Sequence, residues 1–146
     1  MFTEVRFYEE AADDKLHFAV IISRFQGKWV LCKHKERNTL EVPGGHREPG
    51  EEISYTAKRE LQEETGAIDF KLQPVCAYSV TEKAISGEED GEERFGMLYY
   101  AEIWSFEKEL HREIERIYIM EDLPENWTYP SVQPELMKKA EALGYI

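Results

Sequence analysis

Gly45, Glu51, Arg59, Glu60, Glu63, Glu64 and Gly66 lie at offsets that could serve a cation. The order is Gly45, five residues, Glu51, seven residues, Arg59-Glu60-Leu61, one residue, Glu63-Glu64, one residue, Gly66-Ala67. Residues three and four apart share a helix face, so Glu60, Glu63 and Glu64 converge within one turn. Three like charges in one turn raise one another's pKa, and they cost helix stability unless a cation sits among them. Hard carboxylate oxygens suit Mg²⁺, with Mn²⁺ able to substitute. Arg59 precedes Glu63 by four residues and can orient that carboxylate. Gly44-Gly45 lets the backbone approach a ligand closely and offers a carbonyl as a further ligand.

In a chain with 25 Glu and 5 Asp, a run such as Glu60-x-x-Glu63-Glu64 taken alone is more often a solvated helix face than a site. The full spacing decides otherwise. At this chain's own usage, four Glu, two Gly and one Arg at those offsets arise by chance on the order of 10⁻⁵ over all starting positions.

The elements that must position this set can be read around it. Residues 51–65 form the clearest helix, with Ile53, Ala57 and Leu61 at i, i+4 and i+8. Its two opening glutamates suit the positive end of the helix dipole, and Gly66 suits a C-terminal cap. Residues 39–42 are expected as a short strand that Pro43-Gly44-Gly45 ends, and Pro49-Gly50 punctuates the loop that follows. Residues 16–34 read as a β-hairpin turning at Gln26-Gly27. Further strands are expected at 2–8 (an edge), at 68–80 with a bend at Pro74, at 95–106 and at 114–120. A polar loop covers 86–94 and a charged connection 107–113. Pro134 opens a last amphipathic helix carrying Leu136, Met137, Ala140 and Leu143. With no repeat and no linker, the chain reads as a single α/β domain over residues 1–146, a mixed sheet covered by helices.

The segment from Gly45 to Ala67 resembles the Nudix box, Gly-x5-Glu-x7-Arg-Glu-U-x-Glu-Glu-x-Gly-U, where U is a bulky aliphatic residue. Every fixed position is matched, and Ala67 departs only at the last U. Leu40-Glu41-Val42-Pro43-Gly44-Gly45 looks like the lead-in strand of MutT-type members. The resemblance implies an α/β/α sandwich with a loop–helix–loop metal motif. It also implies Mg²⁺-dependent hydrolysis of the diphosphate linkage of a nucleoside triphosphate or a related nucleoside diphosphate derivative, oxidised dNTPs among them. Nucleotide sugars, ADP-ribose-like compounds and dinucleoside polyphosphates are the alternative substrates. A nucleotide sensor without turnover is the alternative class, and the complete set of box carboxylates argues against it.

Carried over residue by residue, Glu60, Glu63 and Glu64 look like metal-binding carboxylates, and the Gly44 carbonyl looks like a further ligand. Arg59 looks like the residue that positions a catalytic glutamate, and Glu51 like the loop acid that braces the motif. Glu63 or Glu60 is the expected proton acceptor in an in-line attack of water on phosphorus. Many members use an acid outside the box, for which Glu109 and Glu113 are the first candidates and the 82–93 loop competes. His34 and Lys33 are candidates for the substrate phosphates, and Arg47 with His46 is a second such candidate. Where oxidised-guanine members carry an Asn before the final helix, this chain has Val132, with Gln133 adjacent. Tyr78, Tyr99, Trp104 and Trp127 could stack on a base, although at strand spacing core packing is the commoner role.

Charge and composition bound the partners. Eighteen basic against thirty acidic residues give a net charge of −12, which repels nucleic-acid polymers and anionic membranes. A small nucleotide remains possible if a cation or a local basic patch mediates. No apolar run approaches the ~20 residues that span a bilayer, and Met1-Phe2-Thr3-Glu4 has no signal-peptide character. Cys32 and Cys76 are expected as reduced, buried thiols. Together these features point to a cytoplasmic protein; it is expected as a monomer or homodimer.

Overall fold

The computed structural model describes residues 1–85, 89–108 and 114–146. Seven strands and two helices alternate as β1 (Phe2–Tyr8), β2 (Leu16–Phe25), β3 (Lys28–His34), β4 (Gly44–His46), α1 (Ile53–Thr65), β5 (Ala67–Lys83), β6 (Arg94–Phe106), β7 (Ile114–Met120) and α2 (Gln133–Ala142). The strand order is β1-β5-β6-β2-β3-β7, with β4 paired to β2. β2 and β6 run parallel at the centre and the other pairings are antiparallel, so the sheet is mixed.

Strand alternation sorts β2 between two cores. Ala19 and Ile21 face α1, where they join Val30, Ala57, Leu61 and Ile103. Ile22 packs on the other face with Leu31, Tyr78, Leu98, Leu136 and Met137. The two helices therefore cover opposite faces, as expected of an α/β/α sandwich. The β2–β3 hairpin turns through Gln26 and Gly27, with φ of 53° and 77°. Two consecutive positive φ values match the twist of the strands they join. Gly66 caps α1 at φ 75°, and its N–H reaches the carbonyl of Gln62 at 2.9 Å.

Several boundaries differ from the sequence reading, and β5 runs on to Lys83 rather than ending at 80. The strand expected at 39–42 is instead Gly44–His46, and residues 40 and 41 make only isolated bridges, to Trp127 and Cys32. Pro43 has no N–H to give a ladder, but its carbonyl accepts from Ile21 N–H at 2.8 Å and hands the chain on to β2. The helix starts at Ile53 rather than Glu51, because the Glu51 side chain is committed to the preceding loop and to Arg59. Leu143 lies beyond α2 and is exposed. The bend foreseen at Pro74 is a register shift between Pro74 and Cys76. Both cysteines are free and buried. No helix among the described residues is long and apolar enough to cross a membrane.

Candidate active site

The strand β4 is the wall between two differently built half-sites. Its two glycines are demanded by what lies on either side. A Cβ on Gly45 would overlap the Glu60 carboxylate, and one on Gly44 would crowd the backbone of Ala19 and Val20. The glycines thus let α1 press its carboxylates against the strand. Gly44 N–H donates to Glu64 Oε1 at 2.6 Å.

Arg59 organises the rest of this face. Its Nε and one terminal nitrogen grip both oxygens of Glu51, at 2.6 and 3.1 Å. Its other terminal nitrogen donates to Glu60 at 2.8 Å and to Glu63 at 3.2 Å. A further bond, to the His46 carbonyl at 3.1 Å, ties the guanidinium to β4. Arg59 thereby holds the Glu51 carboxyl down at about 2, helped by the Glu48 N–H and the Thr56 hydroxyl. Glu60 is pushed the other way, up to about 7, first by burial and then by the charge of Glu64, against the pull of Arg59. Burial also raises Glu64, which is 8% exposed, although His34 and Gly44 N–H both favour its charged form. His34 is raised in turn because its Nε2 lies 3.1 Å from Glu64 Oε2.

The donor chemistry of this face fits a hard divalent cation: three carboxylates and a glycine backbone, with the Glu60 carboxyl pushed up by burial and by the charge of Glu64, both of which a cation would oppose. Among the described residues, no three His, Cys, Asp or Glu side chains are gathered closely enough to hold a metal ion. Arg59 engages Glu60 and Glu63, while His34 and Gly44 engage Glu64.

On the α2 side of β4 lies a cavity of about 460 Å³. Its apolar lining includes Phe18, Tyr78, Val42 and Leu136. The Phe18 ring lies on Gly96, where any Cβ would overlap it, and stands edge-on to Tyr78 (5.6 Å) and His46 (6.2 Å). Gln133 is 5% exposed and accepts Val42 N–H on Oε1 at 2.9 Å. That bond fixes the amide orientation and leaves the NH₂ group to the cavity. His34, Arg37, His46 and Arg94 bring basic groups to the lining of this acidic chain, and Glu41 brings one carboxylate, held by Arg37 at 2.9 Å.

The structure therefore brings Gly44, Glu51, Arg59, Glu60, Glu63 and Glu64 together at β4 and α1. His34 lines the cavity and touches Glu64. Lys33 reaches the His34 carbonyl at 3.4 Å and does not line the cavity. Arg47 also lies outside the lining; it bonds Asp13 through side chain and backbone and donates to the Glu51 carbonyl at 2.7 Å. Glu109 and Glu113 lie outside the described residues. Of the aromatics, Tyr78 and Tyr99 are buried, Trp127 packs on the α2-side core and Trp104 is exposed. Phe18, Arg37, Glu41 and Arg94 escaped the sequence reading. Only Glu41 carried a local signal, a lone charge between Leu40 and Val42. The other three are recruited by the sheet order and by Tyr129.

Three comparisons bear on this geometry. A family model described as NUDIX domain matches residues 14–139. YtkD of Bacillus subtilis (strain 168), provisionally named an 8-oxo-dGTP diphosphatase, is 32% identical over 155 aligned positions, covering 98% of this chain and 92% of that protein. The ADP-ribose pyrophosphatase of the same organism is 42% identical over 64 residues, 41% of this chain and 35% of that one. Among solved structures, the B. subtilis pyrophosphohydrolase BsRppH superimposes with a TM-score of 0.76 at 30% identity, covering 97% of this chain and 92% of that chain.

Proposed function

The chain belongs to the NUDIX family, and on that premise we propose that it is a Mg²⁺-dependent pyrophosphohydrolase of nucleoside triphosphates. The reaction class is hydrolysis of the diphosphate linkage of a nucleoside diphosphate derivative. The observation that carries the finer reading is the double-sided wall at β4. An aromatic, partly basic cavity and a half-buried carboxylate cluster share Gly44 and Gly45, so a nucleoside on one side can extend its phosphates to the other. The cavity volume falls within the range of small-molecule sites.

In this reading Glu60, Glu63, Glu64 and the Gly44 carbonyl hold the divalent cation. Bound there, the cation supplies charge neutralisation at phosphate oxygens and a more acidic water. Arg59 keeps Glu63 and Glu60 oriented from one guanidinium, and Glu51 anchors that guanidinium in turn. Glu63 or Glu60 takes the proton from the attacking water. Phe18 offers a ring face for the base, and Gln133 NH₂ a donor for an acceptor on it. His46 and Arg94, at the cavity lining, are the residues proposed to meet the substrate phosphates.

The match to YtkD, provisionally named an 8-oxo-dGTP diphosphatase, covers almost the whole chain and favours nucleoside triphosphates. The ADP-ribose pyrophosphatase matches 41% of the chain and ranks ADP-ribose second. The test is product analysis with Mg²⁺ across canonical and oxidised nucleoside triphosphates, nucleotide sugars, ADP-ribose and dinucleoside polyphosphates, with Glu63→Gln as control. Turnover of triphosphates that Glu63→Gln abolishes is the expected result. Turnover confined to ADP-ribose or nucleotide sugars would move the substrate to the second class. Nucleotide binding without turnover in Mg²⁺ or Mn²⁺ would sink the catalytic reading.

A further inference from the structure

This inference rests on the reading that Glu64 helps hold a divalent cation. Glu64 leaves the last turn of α1 and is nearly buried, yet each of its oxygens has its own donor. Gly44 N–H reaches Oε1 at 2.6 Å, and His34 Nε2 reaches Oε2 at 3.1 Å. His34 arrives from the end of β3, thirty positions earlier in the chain. Its Nε2 is also 3.7 Å from Glu41 Oε1, and Arg37 holds that same oxygen at 2.9 Å. The same ring nitrogen thus faces two carboxylates, Glu64 at hydrogen-bond distance and, farther off, Glu41, which Arg37 anchors.

A carboxylate has about four lone-pair directions. The Gly44 bond alone fixes one oxygen and leaves the group free to turn about it. A second donor on the other oxygen fixes the plane and still leaves a lone pair on each oxygen for a cation. We propose that His34 is a positioning residue: by donating from Nε2 to Glu64 Oε2, it sets the plane of the Glu64 carboxylate for the divalent cation. This is a role distinct from a direct contact with substrate phosphate.

The experiment measures the Mn²⁺ dissociation constant, by electron paramagnetic resonance of free Mn²⁺, for native protein, His34→Ala, His34→Gln, Glu64→Gln and the His34→Ala/Glu64→Gln double variant. The melting temperature of each metal-free protein and kcat and KM are recorded beside it. His34→Ala should weaken Mn²⁺ by about 10–100-fold, the usual effect of removing a hydrogen-bond partner from a ligand, with kcat falling more than KM rises. His34→Gln, which keeps a donor of similar reach, should recover to within about threefold of native. In the Glu64→Gln background, the loss from His34→Ala should shrink to about twofold or less, because its route is gone. His34→Leu carries the same expectation if the alanine variant does not fold.

Unchanged Mn²⁺ affinity in His34→Ala while Glu64→Gln weakens it would overturn the proposal alone. So would full additivity in the double variant, or a rise in KM with kcat intact. Unchanged Mn²⁺ affinity in Glu64→Gln would overturn the metal role of Glu64 and the proposal with it.

Discussion

The two sides of β4 are built from different kinds of sequence. On the α1 side, Gly44, Gly45, Glu51, Arg59, Glu60, Glu63 and Glu64 all come from one stretch of 21 residues, and a single guanidinium braces four of its contacts. On the α2 side, the cavity draws on β2, β3, β5, β6, α2 and Tyr129, and no one residue braces it. The first side is charged and sequence-local. The second is aromatic and long-range. The difference explains why a chemical step can be fixed by a short motif while substrate choice is spread over the whole fold.

This contrast is open to attack from either side. The largest effect is expected from Glu63→Gln, which keeps the shape of α1 but removes the carboxylate charge proposed as proton acceptor and cation ligand. Its kcat should fall by about 10²–10⁴-fold with the melting temperature near native, as steady-state kinetics beside thermal unfolding would show. If Glu60→Gln costs more than Glu63→Gln, the proton acceptor is Glu60 instead.

A matched pair of glycine variants then separates the sides. Gly45→Ala drives a methyl into the Glu60 carboxylate, and kcat should drop by about 100-fold. Gly96→Ala lifts the Phe18 ring off its bed and into the cavity, and KM should rise by about 10-fold with kcat within a factor of about two. Were both variants to change kcat alone, the cavity would not be the substrate site.

Gln133→Glu is subtler. The new carboxylate can still accept Val42 N–H, but it presents an acceptor where the amide presented a donor. Preference between 6-oxo and 6-amino purine triphosphates, measured as a kcat/KM ratio, should shift by about 10-fold toward the amino base.

The smallest effect is on acid stability. Glu51 titrates at about 2 in the folded protein against an ordinary value of 4.5. A lowered folded pKa means stability that is complete above 4.5 and is lost as pH falls through 4.5 toward 2. Glu51→Gln should therefore flatten the dependence of melting temperature on pH in that window and leave it unchanged above it.

How much of this was legible beforehand follows from the same contrast. Helix α1, its glycine cap and the convergence of Glu60, Glu63 and Glu64 could be read because residues three and four apart meet on any helix. The β2–β3 hairpin could be read from Gln26-Gly27 between two apolar runs. The misplacement of β4 had a physical cause: a three-residue strand with two glycines has no side-chain pattern to read. It exists because β2 and α1 press on it from either side. Glu51 read as helical because its type suits a helix start, but its bonds to Arg59 and Thr56 hold it in the loop.

The sequence by itself determined the family, the reaction class and the carboxylates near β4, since local spacing dictates which side chains share a helical turn. It could not determine that Arg47 would bond Asp13, that His34 would meet Glu64 or that Phe18 would lie on Gly96. Those contacts join residues 30 to 78 positions apart. They exist only once the strands and α1 are assembled, because pairings that distant are set by packing of the whole chain and leave no trace in the order of their neighbours.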